Sequence, residues 1–245
     1  MTRLVTFADS RMTTSAKLCC LSASKMGVDV CWPQSPDTIT QEFRDMNAEI
    51  FKHDRGYGYW VWKPYFIYKS MLNCQDGDIL IYSDAGVEFI QPVQYIIDKM
   101  DQDIFFFTNG FPHVEWCKGD VLGRILGWIS IIEGVGTMDA SFKQVQASVI
   151  FFRVNETTRN FVKEWLLYCQ MPGFIDDSPS NLPNYPTFAE HRHDQAILTC
   201  LQIKYGYKLH FWPTNYSEHI RHTAQPEDNY PSMFNHHRKR NEEWK

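Results

Sequence analysis

GDILIYSDAG, residues 77–86, is the most informative segment of the sequence for the fold class. Residues 78–83 form a short apolar and β-branched run, which predicts a buried strand. The run stops abruptly at Asp84, Ala85 and Gly86. The Asp84 carboxylate is therefore expected at the carboxyl edge of a sheet, which is where open α/β sheets bind their ligands.

Strands and helices alternate on both sides of this stretch. Short apolar runs predict further strands at residues 4–8, 28–32, 104–107, 145–153 and 208–212. Helical periodicity is found at residues 14–26, 38–51, 64–72, 116–126, 157–170 and 193–204. Residues 171–186, rich in Pro, Asp, Ser and Asn, predict a long surface loop or lid. Because no repeat or linker interrupts the pattern, we expect one doubly wound α/β domain over residues 1–245.

Composition narrows the classes of function. The net charge of −5 argues against a broad nucleic-acid-binding surface, which needs clustered Lys and Arg. No apolar run is long enough for a membrane span, and the charged N-terminus has no apolar signal segment. The seven Cys form no CxxC pair, so we expect reduced thiols and a cytoplasmic protein. The high aromatic fraction of 15% suits either a sugar- or base-binding groove or an aromatic core.

Asp84 is the first candidate for chemistry. A cation bound to a diphosphate needs only one or two protein carboxylates, because the phosphates supply further oxygen ligands. The small residues Ala85 and Gly86 would let a bulky nucleotide approach the backbone. The alternative is that Asp84 simply forms a turn or caps a helix.

A second candidate is RGYGYWVWKP, residues 55–64. It lacks the third glycine of a dinucleotide-binding fingerprint and follows a helix rather than a strand. Its two cations, Arg55 and Lys63, suit phosphate oxygens, and four aromatic rings and two glycines lie between them. A purely structural aromatic cluster is the alternative.

Two further segments carry candidate groups. In HRHDQ, residues 191–195, Asp194 could accept a proton from an acceptor hydroxyl, hold a sugar, or cap the helix that follows. In NHHRKR, residues 235–240, a neutral imidazole could complete a cation's shell and an Arg could brace a leaving diphosphate. A disordered tail is the alternative for this terminal segment.

Five blocks together resemble the small GT-A glycosyltransferases found among chlorovirus capsid-glycosylating and bacterial polysaccharide enzymes: RGYGYWVWKP, GDILIYSDAG, VQASVIFF, EHRHDQAIL and NHHRKR. The likeness spans nearly the whole chain, from Val5 to Arg240. It implies a Rossmann-like α/β fold, with a mixed, mostly parallel central sheet flanked by helices. It also implies a nucleotide-sugar half at about residues 1–110 and an acceptor half at about 111–245.

The resemblance also implies roles for individual residues. Asp84 and Asp194 would be catalytic, and Asp84 with His237 would hold Mn2+ or Mg2+. Asp84 occupies the first position of the family's DxD motif, whereas Gly86 replaces the second Asp, so Glu88 or a C-terminal His would have to help. The implied donor-binding residues are Thr6, Ala8, Asp9, Arg11, Arg55, Lys63, Tyr82, Ser83, Asp84, Ala85, Gln146, Ser148 and Arg238.

The function implied is metal-assisted transfer of a sugar from a nucleotide-diphosphate sugar, with UDP as the expected nucleotide, to a glycan or glycoprotein acceptor. For a viral chain the setting would be capsid glycosylation in the host cytoplasm. Two alternatives stay open at this point. One is a catalytically silent carbohydrate-binding protein with the same fold, which the missing second Asp favours. The other is a nucleotidyltransferase, which uses a similar sheet and metal.

Overall fold

A computed structural model describes residues 1–127, 141–214 and 228–244. The described strands of the chain are β1 Thr2–Phe7, β2 Val30–Gln34, β3 Ile79–Ser83, β4 Val87–Phe89, β5 Ile104–Pro112, β6 Lys143–Val145, β7 Val149–Arg153, β8 Leu209–Phe211 and β9 Phe234–His236. The described helices are α1 Thr13–Lys25, α2 Gln41–Met46, α3 Ala48–Phe51, α4 Gly56–Tyr59, α5 Trp62–Met71, α6 Gln94–Ile97, α7 Gly119–Leu126, α8 Glu156–Cys169 and α9 His193–Tyr205. None of these helices is long and apolar enough to cross a membrane.

The central sheet has the strand order β2-β1-β3-β7-β5-β6, and β8 also pairs with β5. Strand β1 runs parallel to β2 and β3, and β8 runs parallel to β5. Strand β7 is antiparallel to β3 and β5, and β6 is antiparallel to β5. Five of the seven strands described in this sheet therefore point the same way, which confirms the predicted mixed, mostly parallel sheet.

The two faces of the sheet bury alternate residues of each strand. In β3, Leu80 and Tyr82 belong to a core that also contains buried residues of α5, α8 and α9. Ile79 and Ile81 face the opposite core, together with Cys19 of α1 and residues of α6 and β9. Since successive side chains of a strand point to opposite faces, helices cover both sides of the sheet, as the doubly wound pattern predicts.

Several predicted boundaries were wrong. The single helix expected at 38–51 is divided at Asn47, which has φ −118° and a buried side chain that donates to the Phe43 carbonyl at 2.9 Å. The helix expected from residue 116 begins only at Gly119, strand β2 lies two residues later than expected, and β5 continues to Pro112. These ends depend on contacts with distant parts of the chain, which local periodicity does not report.

The strand predicted at 145–153 is in fact two strands, β6 and β7, separated by residues 146–148. Within this break, the Gln146 amide donates to the Phe107 carbonyl at 2.7 Å, and the Ser148 carbonyl accepts from the Asp84 amide at 2.8 Å. The break directs residues 146–148 toward the carboxyl end of β3. The interruption therefore adds polar side chains to the edge at which Asp84 lies.

The segment between Gln170 and Arg192 is a long loop, as predicted, and it is fastened to α7. The Lys118 ammonium, which is 2% exposed, donates to both Asp176 and Ser178. The Asp120 carboxylate accepts from the amides of residues 181 and 182 at 2.8 and 3.0 Å. Because buried charges are stable only when paired, Lys118 fixes the loop in place, and this part of the loop is not a freely moving lid.

Candidate active site

A cavity of about 590 Å³ opens where β1 and β3 end. Its wall combines residues from the turns after β1 and β3, from the 54–63 segment, and from the break between β6 and β7. The start of α9 and the segment after β9 complete it. Because β1 and β3 are parallel, their carboxyl ends meet at one edge, and the cavity occupies the position at which open α/β sheets bind ligands.

Lys63 links two carboxylates at the base of this cavity. Its Nζ lies 3.1 Å from Asp194 Oδ2 and 3.5 Å from Asp84 Oδ1, and it donates to the Ala147 carbonyl at 3.2 Å. The Lys63 side chain is only 5% exposed. Burial by itself lowers the pKa of Lys63, but Asp194 and Asp84 outweigh it and hold that pKa above its usual value. Lys63 is therefore a fixed positive charge between the two predicted catalytic residues.

Asp84 is oriented by the residue two positions before it. The Tyr82 hydroxyl donates to Asp84 Oδ1 at 2.5 Å. Burial, followed by the nearby Asp84 charge, raises the pKa of Tyr82 well above its usual value, so the phenol keeps its proton. The Asp84 side chain is 34% exposed and faces the cavity. One carboxylate oxygen is thus held by Tyr82 and Lys63.

Asp194 lies in the first turn of α9, but its carboxylate faces Lys63 rather than capping the helix. The side chain is 5% exposed. Burial raises the pKa of Asp194 to about 6, although Lys63 opposes that rise. A buried carboxylate that titrates near neutrality beside a cavity is typical of an acid–base group.

Strained backbone is concentrated around this cavity. Tyr57, Tyr59 and Trp60 have φ of 54°, 51° and 61°, and His193 has φ of 49°. Each such residue costs on the order of 1–3 kcal/mol, and strain of this kind clusters at functional sites. The His193 ring stacks on Tyr59 at 4.8 Å and lies 5.4 Å from Trp60. The 57–60 segment and the start of α9 therefore hold each other in these conformations.

The RGYGYWVWKP block divides between core and cavity. Trp62 stacks on Phe7 with centroids 3.9 Å apart, and its indole donates to the Gly56 carbonyl. Trp60 is half-buried and lines the cavity. A Cβ added at Gly56 would lie 2.4 Å from the Trp60 ring, so the indole fills the space that a side chain at residue 56 would need. Tyr57 and Trp62 also line the cavity, and Trp62 belongs to the core as well, so rings of this block contribute to both.

Three cations on the rim of the cavity have acidic partners. Arg11 pairs with Asp9 at 2.5 Å. Arg55 lies 3.2 Å from Asp177 and 3.3 Å from Glu190, which also pairs with Arg192 at 3.1 Å. All these side chains are exposed or partly exposed, so the pairs are readily exchanged for contacts with a ligand.

The C-terminal segment is ordered against the Asp84 turn and is not a free tail. Strand β9 pairs with β4, so His236 lies opposite Val87. The Arg238 amide donates to the Gly86 carbonyl at 3.1 Å. A Cβ at Gly86 would lie 2.8 Å from the Arg238 Cα, which is closer than real Cβ contacts. The absence of a side chain at residue 86 is therefore required by the close approach of these two segments.

The histidine at the cavity is His236, whereas we expected His237. Because neighbouring side chains along a strand point to opposite sides, only one of the pair can face Asp84. His237 packs its ring against Trp244 at 5.0 Å and does not line the cavity. Burial, and next the Arg238 charge, lower the pKa of His236 to about 4, so its imidazole is neutral at pH 7.

The residues around Asp84 do not fit a protein-built Mn2+ or Mg2+ site. Such a site needs several converging oxygen or imidazole ligands. Gly86 supplies none, and Glu88 accepts from Asn235 at 3.0 Å and lies outside the cavity wall. His236 Nε2 already accepts a hydrogen bond from Arg238 Nε at 3.3 Å.

Among the described residues, one group of three potential metal ligands converges: His113, Cys117 and Cys200. All three are buried, and none of them lines the cavity. This group is therefore separate from the Asp84 turn, which retains a single carboxylate as a cation ligand.

Most predicted donor-site residues line the cavity, while three lie beneath it. The residues in the wall are Ala8, Asp9, Arg11, Arg55, Lys63, Asp84, Ala85, Gln146, Ser148 and Arg238. Thr6, Tyr82 and Ser83 are buried under the wall, and Tyr82 acts through Asp84. Thr6 Oγ1 is buried with no partner among the described residues.

The predicted site left out several wall residues, six of which are Asp54, Trp60, Arg192, Gln195, His236 and Arg240. Five of them lie inside blocks that were already singled out, so proximity to the named residues was an available signal. Gln195 donates to Gln144 at 2.7 Å, and Arg192 lies over the Trp116 ring. Asp54 stands outside every block and carried no signal.

No protein-family description matches the chain, and no curated protein is similar to it in sequence. Solved structures are similar in fold. Mouse xyloside xylosyltransferase 1, apo form, has 8% identity and a TM-score of 0.51, over 96% of this chain and 97% of that one. A glycosyltransferase involved in glycosylation of the major capsid of PBCV-1 has 12% identity and a TM-score of 0.47, over 96% and 93%.

The WbbM bifunctional glycosyltransferase, apo structure, has 10% identity and a TM-score of 0.48 over 86% of this chain. The chain spans only 38% of that larger protein. At such low identities the similarity shows the fold alone. It confirms the predicted fold, which is the GT-A fold of glycosyltransferases.

Proposed function

We propose that this protein is a glycosyltransferase that moves a sugar from a nucleotide-diphosphate sugar to a glycan or glycoprotein acceptor. The observation that carries the proposal is the Asp84–Lys63–Asp194 chain, in which Lys63 and Asp194 are buried, at the base of a cation-lined cavity at the carboxyl edge of the sheet. The GT-A fold supports the same reading. UDP is the expected nucleotide, on the sequence resemblance.

The diphosphate is assigned to the side of the cavity on which Asp84, Lys63 and Arg238 lie. A guanidinium and a buried ammonium are the protein groups that best match phosphate oxygens. The nucleoside is assigned to the turn after β1, where Ala8, Asp9 and Arg11 line the wall. Gln146 and Ser148, brought in by the break between β6 and β7, then face the donor sugar.

The reaction breaks the bond between the sugar's anomeric carbon and a phosphate oxygen, and the nucleoside diphosphate leaves with the electron pair. A new bond forms between that carbon and an acceptor hydroxyl oxygen, which loses its proton. Negative charge grows on the leaving diphosphate, so fixed positive charge at Lys63 and Arg238 lowers the barrier. Asp194 is the group that we assign to activating or orienting the acceptor.

We also propose a cytoplasmic setting. All seven Cys are free thiols in the structure, including Cys117 and Cys200, whose sulfur atoms are 3.8 Å apart. Thiols this close would readily be oxidised in a secretory compartment.

A donor-hydrolysis screen tests the proposed activity. The protein is incubated with a panel of UDP- and GDP-sugars, and release of the nucleoside diphosphate is measured. We expect release from at least one donor, and glycan acceptors should accelerate it. A nucleotidyltransferase would instead release pyrophosphate from UTP, and a silent carbohydrate-binding protein would bind glycan and leave every donor intact. Either result would contradict the proposal.

A further inference from the structure

We propose that the Arg238 guanidinium takes the place of a divalent cation on the donor diphosphate, so that this protein binds nucleoside diphosphates without metal. The inference rests on the proposed function and deepens it. It starts from the disagreement between the GT-A resemblance, which implies a metal, and the residues that actually surround Asp84.

The place of a second carboxylate is closed by the backbone. Any side chain at residue 86 would begin 2.8 Å from the Arg238 Cα and 3.2 Å from its amide nitrogen. These are main-chain atoms, held by the pairing of β4 with β9 and by the Arg238–Gly86 hydrogen bond. The replacement of the second Asp by Gly86 is thus built into the packing of the C-terminal segment.

The nearest imidazole is engaged by the same arginine. His236 is 4% exposed, and its Nε2 accepts from Arg238 Nε at 3.3 Å. A cation bound to Nε2 would have to displace this hydrogen bond and lie next to a guanidinium, which repels it. This arrangement favours the Arg238 guanidinium over a metal ion at this position.

The positive charge of the Arg238 guanidinium is also not neutralised by a carboxylate of the described residues. Four other cations at the base and rim of the cavity each pair with a carboxylate: Arg11, Arg55, Lys63 and Arg192. Among the residues that the structure describes, no carboxylate pairs with the Arg238 or Arg240 side chain, although both face the cavity. Two unneutralised guanidinium groups match a diphosphate in charge and in hydrogen-bonding geometry.

The backbone fixes Arg238 at this place. Its φ is 56°, a left-handed conformation that costs on the order of 1–2 kcal/mol for a non-glycine residue. The side chain of Arg238 reaches back to His236 and lines the cavity. Strain of this kind is characteristic of positions that bind ligands.

Calorimetric titration of the full chain with UDP and with GDP tests the inference. Each nucleotide is titrated in EDTA, in Mn2+ and in Mg2+. We expect the Kd in EDTA to stay within about threefold of the Kd in either metal, because the chain supplies its own positive charge. Binding that is lost in EDTA and restored by Mn2+ or Mg2+ would overturn the inference while leaving the proposed function standing.

Arg238→Gln should weaken binding in EDTA by about tenfold or more, as expected for the loss of a charge-assisted contact to phosphate. Lys239→Gln is the matched control, since Lys239 is the next residue, lies over the Trp244 ring and does not line the cavity. Its Kd should not change. If Arg238→Gln unfolds, Arg238→Lys is measured instead. Lysine keeps the charge but loses the bidentate hydrogen-bonding geometry of the guanidinium, so we expect a Kd between those of the wild-type chain and a tenfold loss.

The failures are distinguishable. Unchanged affinity in Arg238→Gln, or in Arg238→Lys where that variant is used, would overturn the role of the guanidinium. If the wild-type chain binds neither nucleotide under any of the three conditions, the proposed function itself fails, and this inference fails with it.

Discussion

Lys63 is the residue around which the site is organised, because it is buried between two carboxylates of different exposure. Asp84 is 34% exposed and Asp194 is 5% exposed, and both lie within 3.5 Å of the ammonium. Asp84 therefore faces the open cavity, whereas Asp194 is desolvated. Different environments of this kind give two carboxylates different roles.

Asp84→Asn should abolish transfer and leave the thermal midpoint almost unchanged. The substitution keeps the shape of a partly exposed side chain but removes the charge that orients Lys63 and Tyr82. Donor hydrolysis and a melting curve on the same preparation check both parts. Asp45→Asn, at an exposed carboxylate on α2, is the control and should retain full activity. Unaltered turnover in Asp84→Asn would refute the assignment.

Asp194 should give the reaction its dependence on pH. Its pKa of about 6 means that the ionised form appears as the pH rises through 6, so the rate should increase between about pH 5 and 7. Asp194→Ala should lower kcat by at least about 100-fold and remove this inflection. A pH–rate profile that keeps the same rise in the variant would show that another group titrates.

At the scale of elements, the β4–β9 pair depends on the absence of a side chain at residue 86. Gly86→Ala should force the Arg238 backbone away and cost about 1–3 kcal/mol, the usual range for overpacking. The loosened segment contains Arg238, Lys239 and Arg240, so trypsin should cleave it faster than in the wild-type chain. Equal cleavage rates and equal melting temperatures would mean that the two segments are not in close contact.

The contacts of Lys118 with the 171–186 loop should contribute to the stability of the fold. Lys118→Met should remove about 2 kcal/mol of stability, because the substitution leaves the acceptors of Asp176 and Ser178 unpaired. For a chain of this size the melting temperature should fall by roughly 5 °C. Lys52→Met, at an exposed pair with Glu49, should leave it nearly unchanged. A similar melting temperature in both variants would argue against the fastening.

Local pattern was sufficient for elements whose burial repeats regularly. The short apolar and β-branched run of β3 and the periodic apolar face of α8 predicted both elements. The break between β6 and β7 was not predictable, because residues 145–153 are suited to one continuous strand. The hydrogen bonds of Gln146 with the Phe107 carbonyl and of Ser148 with the Asp84 amide divide it, and both partners lie about forty or more positions earlier in the chain.

For the molecule as a whole, the sequence located the candidate site better than it described its contents. The cavity lies at the predicted edge, and most of the predicted residues line it. The choice between His236 and His237 could not be made, because it depends on the register of a three-residue strand with β4. The contact of Gly86 with Arg238 joins positions 152 apart, which no local spacing reveals.

A crystal structure of the full chain soaked with UDP would show whether this cavity binds the phosphates of an activated sugar. We expect the diphosphate between Lys63 and Arg238 beside the Asp84 turn, with the uridine toward Asp9 and Arg11. Ordered UDP bound elsewhere, with the Asp84 turn empty of ligand, would show that this cavity is not the donor site.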